Sequence, residues 1–168
     1  MNKKYRIGMY GGKFMPFHKG HNYCVEFAAR ECEIVYVILF YGCADEEKIL
    51  EEHPKWYLSL DERKKQLFKI CENNKDLARI IPCMIDVSEL RTPQGEEDWD
   101  GETPLVRELL GDRLDAVYSS EISYGEYFNR AYPEAEHRLV DVPRIHYPIS
   151  GTMIRNMKDK KERDLWTI

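Results

Sequence analysis

Gly11-Gly12-Lys13-Phe14-Met15-Pro16-Phe17-His18-Lys19-Gly20-His21 decides the fold, because an apolar run precedes it and a helical repeat follows it. Upstream, Tyr5, Ile7, Met9 and Tyr10 with small Gly8 predict a short buried strand. Gly11 and Gly12 are expected to end that strand by allowing dihedrals that a side chain would forbid. Pro16 biases Met15 away from the helical region, so the next helix is expected to begin near His18 or Lys19. Beyond it, Tyr23, Cys24, Phe27 and Ala28 recur at helical spacing and predict the inward face.

A helix N-terminus presents unpaired N–H groups and the positive end of the macrodipole. Here it lies beside two glycines and Lys13, Lys19, His18 and His21, which together suit an anion. His18 and His21 share the first helical turn, so both imidazoles can face one oxygen-rich group. The plainer alternative is a strand-to-helix turn with surface histidines. A zinc site would need a third ligand, and the nearest candidate, Cys24, belongs to the inward face, while Lys13 and Lys19 would repel a cation. No protein-held metal is expected.

At these residues the chain resembles a known family. Gly12 to His21 is similar to the G-x-F-x-P-x-H-x-G-H signature of the nucleotidyltransferase superfamily that contains the nicotinamide-nucleotide adenylyltransferases. Ile149-Ser150-Gly151-Thr152-Met153-Ile154-Arg155 resembles its I-S-x-T-x-x-R counterpart. The resemblance implies a Rossmann-like α/β fold, a parallel sheet with helices on both faces, and transfer of AMP from ATP to nicotinamide mononucleotide, forming NAD and pyrophosphate. It implies that Lys13 and Arg155 grip the β- and γ-phosphates while His18 and His21 donate hydrogen bonds at the α/β bridge. Gly11, Gly12, Phe14, Ser120, Ser150 and Thr152 would complete the ATP site, with Mg2+ carried by ATP itself. On the acceptor side it implies Arg63, and Trp99 stacking on the nicotinamide ring. A pantetheine-phosphate adenylyltransferase or a cytidylyltransferase is the runner-up, weakened because Met15 stands where those signatures usually carry Asp. A non-catalytic nucleotide sensor is the alternative from another class.

At 168 residues the chain is expected to form a single domain over its whole length, 1–168. No apolar run approaches the roughly 20 residues of a membrane span, and the basic N-terminus lacks the apolar core of a signal peptide. Five cysteines without a C-x-x-C pair read as reduced thiols, so a cytoplasmic location is expected. A net charge of −5 argues against nucleic-acid partners. The expected partners are ATP and a mononucleotide, with a homo-oligomer left open.

Further along, Glu33 to Tyr41 is almost continuously apolar, as in a strand buried on both faces, and completes a βαβ unit. Gly42 to Leu58 is acidic and reads as a loop with a short helix, its charges solvated, although such a loop can also fold over a site. Ser59 or Asp61 should cap a helix containing Arg63, Leu67 and Ile70. Ile80 to Ile85 predicts a strand that Pro82 places near a sheet edge. Asp86 to Thr103 reads as a loop around Trp99, followed by a helix from Pro104 to Leu110. Ala116 to Ser120 predicts a strand whose carboxyl end reaches the nucleotide, Tyr124 to Tyr132 a helix, and Arg138 to Val142 the last strand. Ser150 is expected to cap the closing helix, with Arg155 one turn in.

Overall fold

Tyr5–Gly12 forms strand β1, Cys32–Tyr41 β2, Arg79–Asp86 β3, Ala116–Ser119 β4 and Glu136–Leu139 β5 in the computed structural model, which describes residues 2–111 and 113–168. All four ladders are parallel and the order is β3-β2-β1-β4-β5. The order reverses between β1 and β4, so their carboxyl ends open a crevice of the kind that binds ligands in such sheets. This is the expected Rossmann-like arrangement.

Helices cover both faces. On one, α1 (Lys19–Glu31) and α3 (Leu60–Asn74) pack Val25, Ala28, Ala29, Leu67 and Ile70 against Val35, Val37 and Leu39. On the other, α4 (Trp99–Leu110) sets Val106 and Leu110 against Met9, Ile38 and Val117, and α5 (Gly125–Ala131) leads into buried Tyr132. Because β2 sends residues into both cores, it carries no polar side and reads as an apolar run. Each fully buried aliphatic side chain contributes roughly 1.5–3 kcal/mol. Shorter helices α2 (Glu46–Glu52), α6 (Gly151–Arg155) and α7 (Lys160–Asp164) complete the chain. No helix among the described residues is long and apolar enough to cross a membrane.

Several boundaries differ from expectation for identifiable reasons. Gly11 and Gly12 do not end β1 through unusual dihedrals; the strand runs through both, and neither has positive φ. Gly11 is needed for space, since a Cβ there would lie 2.7 Å from the Phe40 ring. The left-handed residue of the turn is Phe14, φ 51°, ahead of a cis Met15–Pro16 bond. Helix α4 begins at Trp99 rather than Pro104, because Asp98 caps it by accepting from Gly101 N at 3.0 Å. Strand β5 lies earlier than Arg138–Val142: its pairing runs from Glu136 opposite Ala116 to Leu139 opposite Ser119, and Asp141 then turns the chain at φ 48°. Pro82 does lie on an edge strand, since β3 is outermost. Within the acidic stretch, Glu46 is buried rather than solvated, accepting from Gly42 N, Cys43 N and Arg63.

Candidate active site

The anion corner is built by the histidines themselves. His18 is the N-cap of α1: its Nδ1 accepts from Gly20 N at 3.1 Å, and its own N–H donates to Nδ1 of His21 at 3.0 Å. With both Nδ1 atoms accepting, the proton of each neutral ring lies on Nε2, and those two N–H groups are the uncommitted donors of the pair. The rings stack at 3.6 Å. Burial holds the His18 imidazolium down to a pKa of about 3, aided by Arg144, and pushes His21 well below the ordinary value, where His18 and Arg144 add to the effect. Gly20 between them is required, because a Cβ would come within 2.9 Å of the His18 ring. Phe14 and Phe17, stacked at 3.9 Å, meet His21 edge-on and wall it from the protein side.

The closing helix meets this corner from the other end of the chain. Ser150 caps α6 by accepting from Met153 N, and Arg155 donates to the Met15 carbonyl at 2.7 Å and to Thr152 Oγ1 at 3.2 Å. Gly151 makes that contact fit, since a Cβ would lie 3.0 Å from the Arg155 guanidinium and 3.1 Å from Met15 O. His18, His21, Lys13, Arg155, Ser120, Ser150 and Thr152, with Gly11, Gly12 and Phe14, therefore line one polar hollow of about 360 Å³. Lys13 meanwhile pairs with Asp45. The sequence reading missed Arg144, which lines the same hollow, donating to Ile149 O and to Glu121. A basic residue just ahead of a helix cap was the available signal.

A second, largely apolar hollow of about 630 Å³ shares Gly11, Gly12, Lys13, Ser119 and Tyr124 with the first, so the two adjoin at the end of β1. Trp99 stands in its wall with Tyr124 and Tyr127 edge-on at 4.9 and 5.2 Å, and neither neighbour lies parallel to the indole. Its Nε1 donates to Glu97 at 3.3 Å. Arg63, expected at the acceptor, lines neither hollow. Its fully buried guanidinium donates to Leu58 O, Lys13 O and Glu46. It acts as a strut beneath the corner, which corrects that expectation. The described residues contain no group of three His, Cys, Asp or Glu side chains placed to hold a metal ion.

The suppressed histidines give the fold an acid limb. Between pH 6.5 and about 3 the unfolded chain binds a proton at position 18 that the folded chain refuses, so stability rises with pH there. The loss on acidification is about 1.4 kcal/mol per pH unit for each such histidine. His18→Asn, which keeps a good N-cap, is expected to flatten this limb by about that slope in urea melts from pH 6.5 to 4. An unchanged slope would mean that His18 is not held neutral.

Similarity to known proteins agrees with the geometry. The model of the cytidylyltransferase-like family matches residues 9–157. None of the curated proteins matches by sequence. Among solved structures, NadR protein in complex with NAD and AMP-PNP superposes with a TM-score of 0.65 at 23% identity, over 98% of this chain and 46% of that one. A bifunctional NMN adenylyltransferase/ADP ribose pyrophosphatase from Francisella tularensis gives 0.59 at 20% identity, over 90% of this chain and 41% of that one. NadR in complex with NR gives 0.64 at 22%, over 98% and 43%. The chain spans less than half the length of these solved relatives.

Proposed function

The chain belongs to the cytidylyltransferase-like family of nucleotidyltransferases, and on that premise we propose that it transfers AMP from ATP to nicotinamide mononucleotide. An oxygen of the acceptor's 5′-phosphate forms a bond to the α-phosphorus of ATP; the bond from that phosphorus to the bridging oxygen breaks, and pyrophosphate leaves with the electron pair. The acceptor phosphate is already ionised, so no side chain need take a proton. Catalysis is then positioning and charge neutralisation.

The observation carrying this reading is the single polar hollow that gathers both helix starts and opens onto an aromatic one. In it Lys13 and Arg155 would bind the β- and γ-phosphates. The neutral His18 and His21 would donate from Nε2 to the bridging and leaving oxygens as charge builds there. Trp99 would lie against the acceptor ring. The ligand classes this reading calls for are those found with solved relatives: NAD with AMP-PNP, NR, and, for the Francisella enzyme, AMP with a manganese ion.

Mg2+ would arrive on the triphosphate. The carboxylates lining the polar hollow are engaged, Glu121 with Arg144 and Asp141 with the N–H groups of Ile145, His146 and Tyr147. Phosphate oxygens and water would therefore hold the ion, which when bound offsets charge on those oxygens.

Pyrophosphate release with ATP and a panel of acceptors tests the reading. Release is expected with nicotinamide mononucleotide and only weakly with phosphopantetheine or glycerol phosphate, whose aliphatic chains do not match an aromatic-walled hollow. Release with none of them would favour a nucleotide sensor on the same fold.

A further inference from the structure

The aromatic hollow contains an acid that forms no ion pair among the described residues. Glu102, one turn into α4, lines the hollow, is only 8% exposed, and its carboxyl has no hydrogen-bond partner among the described residues. The other charged groups of the wall stand differently: Lys13 pairs with Asp45, Lys48 lies 3.9 Å from Glu52, Glu97 accepts from Ala44 N and Trp99, and Glu96 is exposed to solvent. Among the described residues Arg91 is the cation that acts on Glu102, and its guanidinium donates to the carbonyls of Val87, Leu90 and Gly42. Glu97 and Asp98 act on Glu102 in the opposite sense, and the uncharged Tyr127, Tyr132 and Cys43 also face it. Burial, then these anions, push the Glu102 carboxyl up to about 8.

A ligand entering this hollow therefore meets net negative charge, aromatic walls and one unsatisfied carboxyl. A cationic heteroaromatic ring matches the first two. Its substituent is constrained by the third. A protonated carboxyl offers one donor and one acceptor, the complement of a carboxamide; an ionised one accepts from the carboxamide nitrogen. A carboxylate substituent would instead add an anion beside Glu97, Asp98 and an ionised Glu102, where the described lysines of the wall already have carboxylate partners, a like-charge contact under partial desolvation.

We propose that Glu102 selects the ring substituent of the acceptor, admitting a pyridinium ring that carries a carboxamide and rejecting the same ring carrying a carboxylate. The assignment rests on the acceptor reading above. It makes Glu102 a specificity-determining contact and gives Trp99, three residues earlier in the same helix, the ring itself.

Initial rates of pyrophosphate release with ATP and either nicotinamide or nicotinate mononucleotide test it, in the wild-type protein and in Glu102→Gln. The wild type is expected to favour the amide by at least tenfold in kcat/KM. Glu102→Gln, which cannot ionise and keeps two hydrogen-bonding groups, is expected to lower that ratio by about tenfold or more, chiefly through KM for the acid. Equal use of both acceptors by the wild type overturns the proposal without any variant, and so does a folded Glu102→Gln with an unchanged ratio. Release with neither acceptor defeats the acceptor reading, and Glu102's assignment falls with it.

Discussion

His21→Ala is expected to lower kcat by about 100-fold or more, with a much smaller change in the KM for ATP. The magnitude is that of removing one preorganised donor from a site where charge develops. His21 supplies such a donor by construction, because the His18 N–H occupies its Nδ1 and leaves the proton on Nε2. Held far below its ordinary pKa, the ring stays neutral, so it cannot work by delivering a proton and its effect should not titrate near pH 7. The same substitution removes the reciprocal half of the α1 cap, and a stability loss of about 1 kcal/mol should accompany it. Single-turnover rates at saturating ATP, with a urea melt on the same sample, separate the two effects. A rate within threefold of wild type would take His21 out of the chemistry, and a bell-shaped rate profile with a limb near pH 6.5 would show the ring acting as an acid.

That corner was legible in the sequence because its determinants are local. The proline and the histidine spacing each act within one turn of where they stand, and Ser150 caps α6 by reaching only to Met153. Even so, the reason given for Gly11 concerned dihedrals, whereas the structure shows a close approach to Phe40, a residue of the neighbouring strand. Where the deciding partner is distant in sequence, local reasoning ran out. Arg144 gains a role only when the fold sets Glu121 and the polar hollow beside it. Glu102 looked like one acid among many; only the fold shows that its nearest charges are Glu97, Asp98 and an Arg91 committed to backbone carbonyls. Trp99, expected to stack on the acceptor ring, lines the second hollow but was set on a loop, because Pro104 hid the Asp98 cap.

Arg63 is the strongest case of a role that only the packing assigns, and it carries the largest expected stability effect. Its guanidinium is fully buried and joins three segments: Leu58 O at 3.0 Å, Lys13 O at 3.1 Å and the Glu46 carboxylate. Glu46 in turn holds Gly42 N at 2.6 Å and Cys43 N at 3.1 Å at the end of β2. Arg63→Ala would leave that buried carboxylate without its cation and free two carbonyls, and the expected cost is about 3–5 kcal/mol. For a chain of this size that corresponds to a fall in Tm of roughly 6–20 °C. Arg63→Ala combined with Glu46→Gln, which removes the stranded charge while keeping an acceptor for the two N–H groups, should recover part of the loss. Because the Lys13 carbonyl is one of the bonds lost, ATP binding should weaken along with stability. A variant that melts like the wild type and is impaired only in KM for the mononucleotide would instead return Arg63 to the acceptor. Its lack of contact with either hollow makes that the outcome the packing opposes.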